Sequence, residues 1–189
     1  MMGKFYKMIS YSSCPINWKS VPDKFKDACF GSNFQYIDPK QVVKLDLKND
    51  CEPYFPDFVD FERIPLISDR FKSILDDFGV DNLLYAKIEL FHKPSGQSIE
   101  CWLALPPRIL CIDWSESEYN SQLGRFDKIV IAERFVGRYD IFKSADRNDK
   151  RLLVDNDIFV TEKLRKYIED KQEELGIELD NLDFFELDE

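Results

Sequence analysis

The sequence contains one short pattern twice, and this repeat restricts the possible folds more than any other feature. The first copy is residues 64–78 and the second is residues 158–170. When Ser68 is aligned with Thr161, residues of the same chemical character coincide. The matched pairs are Ile67 with Val160, Asp69 with Glu162, Phe71 with Leu164, Lys72 with Arg165, Ile74-Leu75 with Tyr167-Ile168, and Asp76-Asp77 with Glu169-Asp170. We interpret each copy as a short apolar strand, a hydroxyl cap and an amphipathic helix.

Both copies carry signals for where their helix begins and ends. The hydroxyls of Ser68 and Thr161 suit the N-cap, and the acidic residue after each one favours the positive end of the helix dipole. Apolar residues recur at helical spacing and predict a buried stripe in each helix. The stripes are Phe71, Ile74, Leu75 and Phe78 in the first copy, and Leu164, Tyr167, Ile168 and Leu175 in the second. Gly79 and Gly176 are predicted to end the helices, because glycine tolerates left-handed geometry.

Most of the remaining chain predicts strands. Leu84–Leu90 alternates apolar and polar residues, a turn follows at 93–97, and Ser98–Leu105 returns, which predicts a β-hairpin. Other predicted elements are strands at 5–10, 41–47, 109–112, 126–132, 138–143 and 182–187, a helix at 22–30 and a charged turn at 146–150. Two main helices among more numerous, mostly antiparallel strands indicate an α+β fold.

A chain of 189 residues has the length of one domain. Residues 1–60 show the least regular pattern and contain prolines among aromatic residues at 53–58. We therefore expect one compact unit, in which an irregular N-terminal part (1–60) packs on an α+β domain (61–189).

The charge of the chain excludes some classes of partner. Its formal net charge is -10 and its isoelectric point is about 4.7. Nucleic acids and anionic membranes need a basic face, so neither is expected as a partner, whereas a basic protein would be complementary. The alternative is that the acidity only keeps the protein soluble. No segment approaches the roughly 20 apolar residues of a membrane-spanning helix.

The cysteines and the amino terminus indicate a reducing, cytoplasmic location. Five cysteines, an odd number, are widely spaced and contain no Cys-x-x-Cys pair, which fits neither a disulfide framework nor a zinc site. Cys101 and Cys111 lie in apolar runs and are predicted to be buried thiols. Lys4 and Lys7 interrupt the first nine residues, so no secretory signal is recognised there.

Few residues suggest catalysis. His92 is the only histidine, and its position beside Lys93-Pro94 predicts a surface turn residue rather than a member of a catalytic triad. Phosphate-binding and hydrolase motifs do not occur. The Asp76-Asp77 pair is expected on a solvated helix flank. Residues 155–157 resemble the start of a calcium loop but lack its glycine and its terminal glutamate. We predict no catalytic residue, no metal and no cofactor, and hence a protein that is not an enzyme.

Two acidic stretches are candidate partner surfaces. The first is a predicted loop containing Asp113, Trp114, Glu116, Glu118 and Tyr119, where aromatic residues within an acidic rim suit a basic partner. The alternative is that Trp114 only caps the core. The second is the acidic carboxyl terminus from Glu173 onward, which either attracts a cationic partner or is a solvated end.

Three segments carry a resemblance to a known family. They are residues 65–72 (Pro-Leu-Ile-Ser-Asp-Arg-Phe-Lys), 139–143 (Tyr-Asp-Ile-Phe-Lys) and 159–164 (Phe-Val-Thr-Glu-Lys-Leu). They resemble bacterial immunity proteins of polymorphic toxin systems, the eleventh family in that naming scheme and formerly a domain of unknown function. The resemblance extends from Phe61 to the end, and residues 1–60 match only in size. It implies a protein that binds a cognate toxin domain inside the producing cell, and it carries over no catalytic residues.

We therefore expect a cytoplasmic immunity protein that neutralises a toxin stoichiometrically by occluding its active site or substrate groove. A basic toxin, such as a nuclease, would match the negative charge of the chain. The alternative is an adaptor or loading chaperone for a secreted effector, which an inhibition assay separates because a chaperone leaves activity intact. A third interpretation is a hydrolase that uses acidic residues, which a metal scan and a pH–rate profile would reveal.

Overall fold

The computed structural model describes residues 4–11, 15–23, 38, 40–61, 64–123, 125–144, 146–148, 151–153 and 157–187. The first sheet (sheet 1) has the strand order β2 (Val43–Asp46), β5 (Leu84–His92), β6 (Gln97–Leu105), β4 (Ile64–Ile67) and β3 (Phe58–Phe61). The second sheet (sheet 2) has the order β14 (Asp183–Glu186), β1 (Phe5–Ile9), β13 (Ile158–Thr161), β10 (Ile141–Ser144) and β7 (Arg108–Ile109).

The described residues also form α-helices, a short 3-10 helix at Trp18–Ser20 and two small hairpins. The α-helices are α1 (Asp69–Phe78), α2 (Glu133–Val136) and α3 (Glu162–Leu175). The hairpins pair β8 (Glu118–Asn120) with β9 (Arg125–Lys128) and β11 (Asp146–Asn148) with β12 (Arg151–Leu153). Neighbouring strands are antiparallel except for the parallel pairs β2–β5 and β7–β10. The predicted α+β class is confirmed.

Both copies of the sequence repeat fold as predicted. Strand β4 leads through Ser68 into α1, and strand β13 leads through Thr161 into α3. The Ser68 hydroxyl accepts a hydrogen bond from the Phe71 N–H at 3.1 Å, and Thr161 Oγ1 accepts one from the Leu164 N–H at 3.3 Å. Gly79 and Gly176 end the helices with φ angles of 89° and 62°, so both predicted helix ends are confirmed.

The structural repeat is longer than the sequence repeat. Asp57 and Asp140 directly precede β3 and β10, which are the strands that pair with β4 and β13. The cap hydroxyl donates to Asp57 Oδ1 at 2.5 Å in the first copy and to Asp140 Oδ1 at 2.8 Å in the second. The cap N–H also donates to the backbone oxygen of the same aspartate, at 3.0 Å in both copies. Each copy is thus an aspartate, two paired strands, a cap and a helix.

Four neighbouring strands of one sheet correspond to four of the other, although the equivalent strands follow one another in a different order along the chain. The order β3–β4–β6–β5 in sheet 1 corresponds to β10–β13–β1–β14 in sheet 2. Trp102 of β6 and Tyr6 of β1 lie opposite equivalent residues of β4 and β13. Lys72 Nζ lies 5.2 Å from the centre of the Trp102 ring, and Arg165 Cζ lies 4.4 Å from the centre of the Tyr6 ring. We call residues 57–105 unit 1, and residues 140–187 together with β1 unit 2.

The two units are joined by reciprocal asparagine hydrogen bonds. The two long helices, α1 and α3, are each followed by an Asp-Asn-Leu sequence, which contains Asn82 in unit 1 and Asn181 in unit 2. Asn82 Nδ2 donates to the backbone oxygen of Ile141 at 2.8 Å, and Asn181 Nδ2 donates to that of Phe58 at 2.7 Å. Phe58 and Ile141 are equivalent residues, each the first of its strand. This exchange is the pattern expected of two units related by an approximate twofold axis.

The main core lies where the units meet. One cluster of buried side chains combines residues of both sheets and both long helices: Tyr6, Met8, Phe58, Ile67, Phe71, Ile74, Leu75, Ala104, Ile141, Ile158, Val160, Leu164, Ile168 and Leu179. The other face of sheet 1 is covered by Ile16, Val21 and Phe55. The other face of sheet 2 is covered by Cys111 and Val136. Residues 106–139, as far as they are described, add the edge strand β7 to sheet 2, cover that face of it and belong to neither unit. We call them the cover segment.

The structure corrects the prediction for His92 and confirms that for two cysteines. His92 is only 5% exposed, and its Nδ1 lies 2.8 Å from Ser95 Oγ. The prediction of a surface histidine is wrong because His92 is the last residue of β5 and shares the buried face of Ile88 and Leu90. Cys101 and Cys111 are buried thiols, as predicted.

Several predicted element boundaries also change. Leu175 is 55% exposed, because α3 continues past the core, so its place in the buried stripe was wrong. Glu118–Asn120 is a strand rather than a loop, and the strand predicted at 126–132 ends at Lys128. Residues 146–148 pair with 151–153, so a hairpin replaces the predicted charged turn. Most of the predicted helix at 22–30, and residues 155 and 156 of the calcium-like stretch, lie outside the described residues.

The different burial of two leucines in α3 predicts different effects on stability. We expect Leu164→Ala to lower the free energy of unfolding by about 2 to 5 kcal/mol, because Leu164 is fully buried in the main core. Leu175→Ala should change it by less than about 0.5 kcal/mol, because the side chain is largely exposed. Urea unfolding of both variants measures the difference. Similar losses in the two variants would contradict the placement of Leu175.

Candidate functional site

The five predicted partner-surface residues lie together in one turn and the strand that follows it. Asp113 ends the short ladder in which Ile112 is bridged to Ile131, and the turn continues through residues 114–116 into β8. The N–H groups of Glu116 and Ser117 donate to the backbone oxygen of Asp113 at 3.3 and 2.9 Å. Asp113 Oδ1 accepts hydrogen bonds from the Ser115 N–H at 3.0 Å and the Ser115 hydroxyl at 2.6 Å. The turn is therefore held by its own hydrogen bonds.

Three aromatic rings form a cluster on this hairpin. Trp114 lies 6.0 Å from Tyr119 and 5.4 Å from Phe126, measured between ring centres, and Tyr119 lies 5.0 Å from Phe126. Tyr119 and Phe126 face each other across the β8–β9 pair. Edge-on and tilted contacts of this kind are favourable for aromatic rings. The contacts hold Trp114 in a defined position at the surface.

Trp114 is a surface residue rather than a core residue. Its side chain is 39% exposed, and the three core clusters of the described residues do not contain it. It packs instead on Tyr119 and Phe126, which are half-buried. A large, fixed and partly exposed aromatic ring is typical of binding surfaces. Its role in binding remains a prediction.

Three carboxylates lie close to Trp114 in the chain, within the same turn and the start of β8. Hydrogen bonds from the Ser115 hydroxyl and then the Ser115 N–H hold the pKa of the Asp113 carboxyl below its usual range, and the charge of Arg134 lowers it further. Glu116 and Glu118 are exposed. The turn therefore presents negative charge beside Trp114 at neutral pH.

Sequence analysis missed other exposed apolar residues in the same cover segment. Leu110, Leu123 and Phe135 are 50%, 61% and 53% exposed. Leu110 lies in the short apolar run 109–112, which does not by itself show which residues face outward, and Leu123 and Phe135 lie in stretches without apolar periodicity. Their exposure therefore could not be inferred from the sequence.

A second region, where residues 178–183 meet residues that precede unit 1 in the chain, contains two open cavities. One, of about 260 Å³, is lined by Pro15, Cys51, Glu52, Tyr54, Pro56, Asp180 and Asn181. The other, of about 480 Å³, is lined by Tyr11 and residues 178–183. The Tyr54 hydroxyl donates to Asp180 Oδ2 at 2.5 Å, and this hydrogen bond, assisted by burial, raises the pKa of Tyr54 to about 12.

The buried carboxylate behind these cavities has a structural role. Asp57 is 4% exposed and accepts hydrogen bonds from the Ser68 hydroxyl, from two nitrogens of Arg70 and from the Asp180 N–H. Burial alone raises the pKa of the Asp57 carboxyl. The hydrogen bonds from Arg70, Ser68 and Asp180 outweigh that effect and hold the pKa below its usual range. Asp57 thus links the start of α1 to the loop after α3.

The lowered pKa of Asp57 predicts a specific dependence of stability on pH. Its ionised form stabilises the folded chain at every pH above the unfolded-state pKa of about 4, and this contribution is lost as the pH falls through the folded-state pKa. We expect the difference in unfolding free energy between the wild type and Asp57→Asn to be constant above about pH 5 and to shrink below about pH 4. Urea unfolding from pH 7 to pH 3 measures this difference. A difference that stays constant throughout would contradict the assignment.

The described residues offer neither a metal site nor a membrane span. In the ranges given above, no three His, Cys, Asp or Glu side chains are grouped so that they could hold a metal ion. Of the helices in the same ranges, none is long and apolar enough to cross a membrane.

Comparison of the sequence with profiles of known protein families and with curated proteins finds no match. The resemblance to the immunity family therefore stays a prediction, and the function is argued from the surface itself.

Proposed function

We propose that the chain is an immunity protein that binds a cognate basic toxin domain inside the producing cell and blocks its active site or substrate groove. The observation that carries the proposal is the exposed Trp114 ring, held by Tyr119 and Phe126 and bordered by Asp113, Glu116 and Glu118. Because the segment resemblance described above also implies toxin binding, the sequence and the surface support the same proposal.

The charge of the chain suits this role. With a net charge of -10, the protein attracts a basic partner over distances of about 10 Å, which accelerates association. Buried aromatic contacts then slow dissociation. Neutralisation of the toxin by such binding forms no covalent bond and is stoichiometric.

An inhibition assay tests the proposal. The purified chain is titrated into the toxin domain encoded by the neighbouring gene, and the activity of that toxin is followed. We expect activity to fall linearly and to reach zero near one equivalent. Full toxin activity in excess protein would overturn the proposal. A stable complex with full activity would instead favour the loading-chaperone alternative.

A further inference from the structure

The cover segment, residues 106–139, is not part of the duplicated pattern that the two units share. It lies between the last strand of unit 1 and the first residue of unit 2. Its strand β7 pairs with β10, and Cys111, Val136 and several half-buried residues pack on sheet 2, while the side chains named below are exposed. Its outer residues can therefore vary without disturbing the fold.

The cover segment also concentrates exposed apolar side chains. Leu110, Trp114, Leu123 and Phe135 are 50%, 39%, 61% and 53% exposed. A backbone ladder, in which the Ala132 N–H donates to the Cys111 oxygen at 2.7 Å and the Asp113 N–H donates to the Val130 oxygen at 2.8 Å, runs between Leu110 and Trp114. Leu110 and α2 lie at one end of this ladder, and Trp114 lies at the other. Leu123 lies beyond Trp114, in the turn between β8 and β9.

Charged residues link the two ends. Arg134 Cζ lies 4.8 Å from the centre of the Phe135 ring, and the guanidinium also acts electrostatically on Asp113, the residue before Trp114. Phe135 directly follows one residue of this charged pair in the chain, and Trp114 directly follows the other. Apolar side chains surrounded by charged groups are the usual composition of a protein interface.

We infer that Leu110, Trp114, Leu123 and Phe135 are the contact surface for the toxin, and that the toxin presents an apolar recess bordered by lysine or arginine side chains. This inference rests on the proposed function. The negative charges of Asp113, Glu116 and Glu118 favour binding of a basic toxin over binding of a second copy of this chain. Self-association would bring Asp113, Glu116 and Glu118 near their own copies in a chain of net charge -10, and facing like charges oppose association.

Alanine variants with matched controls test the surface. The test variants are Trp114→Ala, Leu123→Ala and Phe135→Ala. The controls are Leu175→Ala on α3 and Phe185→Ala on β14, whose side chains are 55% and 58% exposed outside the cover segment. The probe is the toxin domain of the neighbouring gene, and its dissociation constant is measured by calorimetry or surface plasmon resonance.

We expect Trp114→Ala to weaken binding by about 30-fold or more and each other test variant by about 5-fold or more, with both controls within about 2-fold of the wild type. The reversal of charge in Glu116→Lys/Glu118→Lys should mainly slow association, and the effect should shrink at high salt. Unchanged thermal unfolding of each variant shows that the fold is intact.

The outcomes separate the inference from the proposed function. If the wild type neither binds nor inhibits the toxin, both are overturned. If the wild type inhibits and the three test variants bind as tightly as the controls, the function stands and this surface is wrong. If Trp114→Ala instead abolishes self-association of the wild type seen by sedimentation, the occupant is a second copy and the inference is overturned.

Discussion

Asp57→Ala is expected to lower the free energy of unfolding by about 3 to 5 kcal/mol. The substitution removes a buried acceptor and leaves the Ser68 hydroxyl, the Asp180 N–H and part of the Arg70 guanidinium without their partner. It also breaks the connection between the start of α1 and the loop after α3. Urea unfolding measures the loss as a lower midpoint at an unchanged slope.

The equivalent residue in unit 2 provides a matched control. Asp140 accepts a hydrogen bond from the Thr161 hydroxyl at 2.8 Å, as Asp57 does from Ser68, but it is only half-buried, and within the described ranges no arginine pairs with it as Arg70 does with Asp57. We expect Asp140→Ala to cost about 1 kcal/mol. If Asp57→Ala and Asp140→Ala lower the unfolding free energy equally, Arg70 and the Asp180 N–H add no stability beyond that of the capping hydrogen bond.

The second large effect is expected at Asn181. Its side chain donates to the Phe58 oxygen at 2.7 Å and to Ser10 Oγ at 2.9 Å, and accepts from the Tyr11 N–H at 2.8 Å. Its φ of 64° lies in the left-handed region, where alanine is disfavoured by about 1 kcal/mol or more. We expect Asn181→Ala to cost about 3 kcal/mol in unfolding free energy, the sum of about 1 kcal/mol for each donated hydrogen bond and the backbone term.

Two further variants separate the contributions at this position. Asn181→Gly loses the same hydrogen bonds but accepts the left-handed backbone, so it should be more stable than Asn181→Ala by roughly 1 kcal/mol. Asn82→Ala removes the reciprocal hydrogen bond to Ile141 alone and should cost about 1 kcal/mol.

The double variant Asn82→Ala/Asn181→Ala then tests whether the units unfold together. One cooperative transition is expected, because the main core contains side chains of both units. Two separate transitions would show that the asparagines, rather than the shared core, couple them.

Local patterns in the sequence were sufficient for the two helices and the long hairpin. Ser68 and Thr161 cap helices through hydrogen bonds to residues only three positions away, and the alternation in β5 reflects two faces of one strand. For the candidate site, sequence analysis located the Trp114 turn but not the exposure of Leu110, Leu123 or Phe135, because neither a short apolar run nor a stretch without periodicity shows which side chains face solvent.

His92 shows how such local reasoning fails. The turn beside it was predicted correctly, but the burial of the side chain depends on which face of β5 packs against residues distant in the chain. The opposite error occurred at Leu175. Its helical spacing predicted burial, but the core does not extend to that end of α3 and the side chain is exposed.

The sequence by itself determined the strand-cap-helix units and the acidic, aromatic turn, because these depend on interactions between residues close in the chain. Only the tertiary structure decided that β1 completes unit 2, that Asn181 bonds to Phe58 across 123 positions and that Trp114 stays outside the core. Those contacts form when distant segments bury a common apolar surface, and no local pattern specifies which segments will meet.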